Sequence, residues 1–200
     1  MGKAEEAKGV VAVETEIKLR IEDPAAIRAR LLDLGFEELR PRTFEDNRLL
    51  DTPAGAFAAR GQLLRLRSLG ARSTLTFKGP ARGDPRFKNR EELEVEVSDA
   101  AALGEIFARL GLAPAYRYQK YRAELVRDGL HACVDETPIG AYLELEGAPA
   151  AIEAAAAELG FGPADYLVVS YRDLHLQQAR ERGESEPGDL VFGDGSSAGR

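Results

Sequence analysis

Between Val13 and Arg20 the chain reads VETEIKLR, with Glu14, Glu16, Lys18 and Arg20 alternating with Thr15, Ile17 and Leu19. Successive side chains of a β-strand point to opposite faces, so this stretch carries one charged face and one largely apolar face. Alternation or a short apolar run recurs in TFEDNRLLDT (43–52), QLLRLRS (62–68), STLTFKG (73–79) and REELEVEVS (90–98). It recurs again in YQKYRAELVR (118–127), LHACVDE (130–136) and AYLELEG (141–147). Eight strands are therefore predicted. Asp128-Gly129 is a hairpin signal between two of them, and ETPIGAY is a second turn.

Three helices interrupt the strands. EDPAAIRARLLDLGF has Asp23 as N-cap, Pro24 at the first helical position and Gly35 past its end. SDAAALGEIFARLGL starts at Ser98-Asp99 and stops at Gly111, and APAAIEAAAAELGF runs from about Pro149 to Gly160. Each follows a charged strand and ends in Leu-Gly-Phe or Leu-Gly-Leu, the pattern of a partial internal duplication. SYRDLHLQQARER reads as a C-terminal helix. Residues 1–10 and 181–200 are expected to be disordered tails around one domain at 11–180, because they are small, polar and poor in apolar residues. The alternative for Leu190–Phe192 is a short segment docked on the domain.

Composition narrows the chemistry. The net charge is −7, which argues against broad binding to nucleic acid or an anionic membrane. Cys133 is the only cysteine, so there is no internal disulfide and no cysteine-based zinc cluster. With only His131 and His175, a metal would be held mainly by oxygen. His131 and Cys133 are read as bystanders. No apolar run approaches a membrane span and the N-terminus has no signal-like apolar stretch, so the expected location is cytoplasmic.

The charged faces raise the main question. Like charges repeat two residues apart in Glu14/Glu16, Arg65/Arg67, Glu92/Glu94 and Glu144/Glu146. Such a pair lies ~7 Å apart and repels by roughly 2–3 kcal/mol at an effective dielectric near 20, but far less in bulk water. Either these faces are wet or opposite charges meet them. If the helices cover the apolar faces, the charged faces turn inward and the strands close into an antiparallel barrel with a polar lumen. That lumen would hold Lys18, Arg20, Arg65, Arg67, Lys78, Arg90, Lys120 and Arg122, with Glu14, Glu16, Glu92, Glu94, Asp135, Glu144 and Glu146. Clustered carboxylates suit Mg²⁺ or Mn²⁺, and clustered bases suit a chain of phosphates.

In order and spacing, ETEIK, LRLR, TFKGP, REELEVEV, KYR, VDETPIGAYLELEG and SYRDL resemble the CYTH superfamily, the triphosphate tunnel metalloenzymes. The resemblance implies an α+β fold, an eight-stranded antiparallel β-barrel tunnel with helices packed outside. It implies Mg²⁺ or Mn²⁺ on Glu14, Glu16, Asp135, Glu144 and Glu146. It implies a triphosphate on Lys18, Arg65, Arg67, Lys78, Arg90, Lys120 and Arg122, with Lys18, Glu14 and Glu16 as the catalytic set. Glu92 and Glu94 would bind a second metal or support the bases. Tyr171 would be structural, and Arg172 is the nearest basic residue to a tunnel-closing position. The expected reaction is hydrolysis of the terminal phosphate of tripolyphosphate, ATP or thiamine triphosphate. Alternatives are a class IV adenylyl cyclase and a non-catalytic triphosphate sensor. The chain is expected to be a monomer or homodimer.

Overall fold

The computed structural model of the chain describes residues 11–83, 85–185 and 187–193. All eight expected strands form: β1 (Val11–Ile21), β2 (Glu37–Asp51), β3 (Leu63–Leu69), β4 (Arg72–Lys78), β5 (Lys88–Val97), β6 (Ala113–Arg127), β7 (Leu130–Thr137) and β8 (Gly140–Glu146). They close into an antiparallel barrel in the order β1-β5-β4-β3-β2-β6-β7-β8. The β6–β7 hairpin turns through Asp128 and Gly129 at φ 51° and 79°. Left-handed backbone at both positions is what a two-residue hairpin loop requires.

Among the described residues, five α-helices join the barrel: α1 (Pro24–Asp33), α2 (Ala56–Ala59), α3 (Ala100–Arg109), α4 (Pro149–Glu158) and α5 (Tyr171–Glu181). Asp23 caps α1 by accepting from the Ala26 amide at 3.0 Å, and Asp99 caps α3 through Ala102 at 2.8 Å. The principal core lies outside the barrel wall. Ile17, Leu19, Leu125, Val134, Leu143 and Leu145 bury their apolar face under Leu31 of α1 and Ile152, Ala155 and Ala156 of α4. Each large side chain contributes roughly 1.5–3 kcal/mol by leaving water. Because this apolar face is covered, the alternate residues of the same strands point into the lumen.

The cover is uneven. α3 buries none of its residues, and Leu93 and Val95 on the outer face of β5 stay exposed. Two helices, rather than three, shield the barrel wall.

Late segments patch the barrel where its strands are staggered. Lys18 exchanges two 2.8 Å backbone hydrogen bonds with Leu167 beside β1. Beyond Tyr121, toward its N-terminus, β6 has no partner in β7, and Leu190 bridges to Tyr118 there in parallel. Leu190 donates to the Arg117 carbonyl and accepts from the Gln119 amide, and its side chain is 2% exposed. The stretch around Leu190–Phe192 is therefore docked, as in the second of its two sequence readings. Residues 1–10, 186 and 194–200 of the expected tails lie outside the described residues. Among the described residues, no helix is long and apolar enough to cross a membrane.

Candidate active site

The lumen is a tunnel of about 850 Å³. Among the bases that line it are Lys18, Arg65, Arg67, Lys78, Lys88, Arg90, Lys120 and Arg122, eight side chains contributed by β1, β3, β4, β5 and β6. Glu14, Glu16, Glu92, Glu94, Glu144 and Glu146 line it as well. The charged faces do look toward one another. Arg20 is the exception: it is exposed at the rim, 5.2 Å from the Tyr142 ring.

Register explains which charges meet. Glu16 pairs with Lys88 across β1–β5 and with Glu146 across β1–β8, while Lys18 pairs with Glu144. The Lys88 ammonium lies 2.6 Å from Glu16, and that of Lys18 lies 2.9 Å from Glu144 and 3.4 Å from Glu16. Burial alone would raise both carboxyl pKa values. Lys18 and Lys88 outweigh it at Glu16, and Lys18 and Arg122 outweigh it at Glu144, so both are held below the usual range. Burial also opposes charge on Lys18, but Glu144 and Glu16 keep it protonated, with its pKa raised.

Glu146 has no such close base among the described residues, and Lys78 offsets it only from farther off. Burial and the charge of Glu16 push its carboxyl up to about 7. Glu92 contacts Lys78, yet burial and hydrogen bonding with Glu14 also bring it to about 7. Glu14 stands 3.6 Å from Lys78. Glu94 accepts from Arg67 at 2.9 Å and from Thr76 at 2.7 Å, a contact that supports a base rather than leaving the acid free.

Asp135, expected among the metal ligands, is placed differently. It is fully buried, and its oxygens accept from Lys120 at 2.9 Å, Arg122 at 2.7 and 2.6 Å, and Tyr171 at 2.6 Å. With its lone pairs spent on these donors it acts as a bracket for two bases. Tyr171 joins that bracket from the first turn of α5, where Ser170 and Asp173 form a capping box. Arg172 lies over the Tyr116 ring, 5.7 Å from its centroid, at one mouth of the tunnel.

The sequence reading missed Lys88, Glu45, Asn47 and Tyr118. Lys88 has the parity of Arg90 and Glu92, so carrying the β5 alternation two residues back would have found it. Glu45 and Asn47 are fully buried, and neither has a side-chain hydrogen-bond partner among the described residues. The Tyr118 hydroxyl lies 3.5 Å from Arg65.

Among the described residues, no three His, Cys, Asp or Glu side chains already converge as a metal-ligand set. Mg²⁺ does not require one, since it commonly takes one or two carboxylates and completes its shell with substrate phosphates and water. Glu16 and Glu146 are hard oxygen donors facing each other across two strands, and Glu146 has no ion-pair partner among the described residues. These residues fit a hard divalent cation.

The geometry has clear relatives. Residues 12–171 match the CYTH domain family. The curated protein "Putative adenylate cyclase MJ0240" of Methanocaldococcus jannaschii is 30% identical over 135 residues, covering 67% of this chain and 76% of that protein. The solved PH1819 protein of Pyrococcus horikoshii is 26% identical with a TM-score of 0.66, covering 82% of this chain and 99% of that one. A structure described as a putative adenylate cyclase from Vibrio parahaemolyticus is 18% identical with a TM-score of 0.71, covering 82% and 97%. With the match spanning most of the chain and the closed tunnel in place, this protein belongs to the CYTH domain family.

Proposed function

We propose that the chain is a cytoplasmic, Mg²⁺- or Mn²⁺-dependent phosphohydrolase that removes the terminal phosphate of a triphosphate held in the tunnel. The observation that carries this reading is the convergence of eight bases from five strands on one enclosed space. Buried cations in that number demand a polyanion or matching acids, and a phosphate chain presents oxygens along its whole length. Arg65 and Arg67 offer guanidinium donors to phosphate oxygens, Arg122 adds positive charge while Asp135 holds its Nε–Nη2 edge, and Lys18, Lys78, Lys88 and Lys120 supply point charge.

Glu14, Glu16, Glu144 and Glu146 hold the cation, which when bound supplies charge neutralisation at the phosphate oxygens. Water attacks the terminal phosphorus, a new P–O bond forms, and the bridging P–O bond breaks. The shorter phosphate chain leaves with the electron pair. Glu92, with a carboxyl near 7 beside Lys78, takes the proton of the attacking water. The bases keep the transferring group in line and stabilise the charge that spreads over it.

A cyclase reading has one observation in its favour. Leu49, Tyr116 and Val168 line the tunnel near Arg172, giving an apolar and aromatic surface against which a nucleobase would stack. The related Methanocaldococcus protein also carries a cyclase name. Incubation with Mg²⁺ or Mn²⁺ and, separately, tripolyphosphate, ATP and thiamine triphosphate separates the readings. Hydrolysis releases orthophosphate, whereas cyclisation releases pyrophosphate and cyclic AMP from ATP alone. Binding without either product would leave a sensor.

A further inference from the structure

Glu45 sits on the lumen side of β2 but behind the bases rather than among the residues that face the open channel. It is fully buried, and neither carboxylate oxygen has a hydrogen-bond partner among the described residues. Its nearest cations are the Lys120 ammonium at 3.7 Å and the Arg67 guanidinium at 3.9 Å. Burial alone would keep it protonated, but Lys120, Arg122, Arg67 and Arg65 together bring its pKa down to about 2. A buried charge held by field alone, with its lone pairs unmet, lowers stability compared with a hydrogen-bonded one. Asp135 on β7, across β6 from Glu45, shows the alternative, in which every oxygen is bonded to the bases it brackets. The two acids therefore act on Lys120 differently: Asp135 fixes it together with Arg122, while Glu45 offsets its charge and that of Arg67 without tying them down.

We infer that Glu45 is a positioning residue that limits how tightly the tunnel holds phosphate chains, so that a shortened product can leave. This rests on the polyphosphate reading of the tunnel. Removing the negative charge adds one net positive charge directly behind the cradle, and the low-dielectric surroundings transmit that change to the ligand with little screening.

Titration calorimetry of Glu45→Gln with tripolyphosphate and with pyrophosphate tests it. Both anions should bind about ten-fold tighter than to the wild type. In steady state, KM and kcat should fall together as release slows, and pyrophosphate inhibition should deepen. Glu45→Asp, which keeps the charge, should stay near wild-type affinity. Unchanged or weaker binding in Glu45→Gln would overturn the inference, as would Glu45→Asp behaving like it. Loss of fold in Glu45→Gln would make the acid a structural counter-charge and end the assignment. If the wild type itself binds no tripolyphosphate, the polyphosphate reading fails first, and that outcome is separate.

Discussion

Glu146 faces Glu16 across β1 and β8, and among the described residues no lysine or arginine forms an ion pair with it as Lys88 does with its neighbour; Lys78 acts only from farther off. Its carboxyl titrates near 7, up from 4.5. Below about pH 4 the group is neutral in both folded and unfolded chains. Between 4.5 and 7 the folded chain keeps a proton that the unfolded chain releases, so stability falls as pH rises through that window. The shift corresponds to at most about 3 kcal/mol. Glu146→Gln should therefore match the wild type near pH 4 and exceed its unfolding free energy by up to about 3 kcal/mol at pH 8, measured by urea denaturation. An equal gain at both pH values would place the cause outside this carboxyl. Asp135 gives the opposite case. Asp135→Asn strips the counter-charge from Lys120 and Arg122 and should cost roughly 3–5 kcal/mol. A fully stable variant that merely loses metal response would return Asp135 to the ligand set. Parity along each strand told which residues share a face, and that placed most of the site. It did not tell which base each acid would meet, because that depends on register between strands distant in sequence. Glu45 was hidden for another reason: Asp46 and Arg48, its neighbours of opposite parity, are charged too, so β2 shows no clean charged-versus-apolar contrast.

Among the elements, the eight strands were legible because alternation is strong wherever one face is apolar. Ends were less so. β2 begins at Glu37 and β6 at Ala113, several residues before their expected starts, in stretches containing Pro41 and Pro114 that argue locally against a ladder. Pairing between β2 and β6 continues past both prolines, with the register shifting beside each, between Arg40 and Thr43 and between Leu49 and Leu50. α2, with four residues, carries no periodicity from which to read it. The segment at Leu190 was ambiguous because the three-residue apolar run Leu190–Phe192, set among Gly, Asp and Pro, is consistent with a tail, and only the open edge of β6 decides its place. Deleting residues 187–200 should lower stability by roughly 2 kcal/mol, the value of burying one leucine. It should also strip hydrogen-exchange protection from the Gln119 amide, which donates to Leu190 at 2.8 Å. Unaltered protection at Gln119 would show that the edge finds another acceptor.

At the scale of the molecule, a chain of net charge −7 nevertheless gathers a cluster of its bases on the tunnel wall. A phosphate chain that reached only surface lysines would be held by charges screened beyond about 10 Å at 0.1 M salt. One enclosed by the tunnel is surrounded by charges in a poorly screened space and contacts several strands at once. Binding there stabilises the fold, since the unfolded chain offers no such cluster. At one hundred times its dissociation constant, tripolyphosphate should add about 2.7 kcal/mol. For a domain of this size that corresponds to a rise of roughly 5–10 °C in Tm. Orthophosphate at the same concentration spans fewer of the bases and should produce a much smaller rise. Raising the salt from 0.1 to 0.5 M should leave most of the tripolyphosphate shift in place. A shift that vanished with salt, or that orthophosphate reproduced in full, would mean the anion sits on the exterior, and the inward-facing charges would then need another explanation.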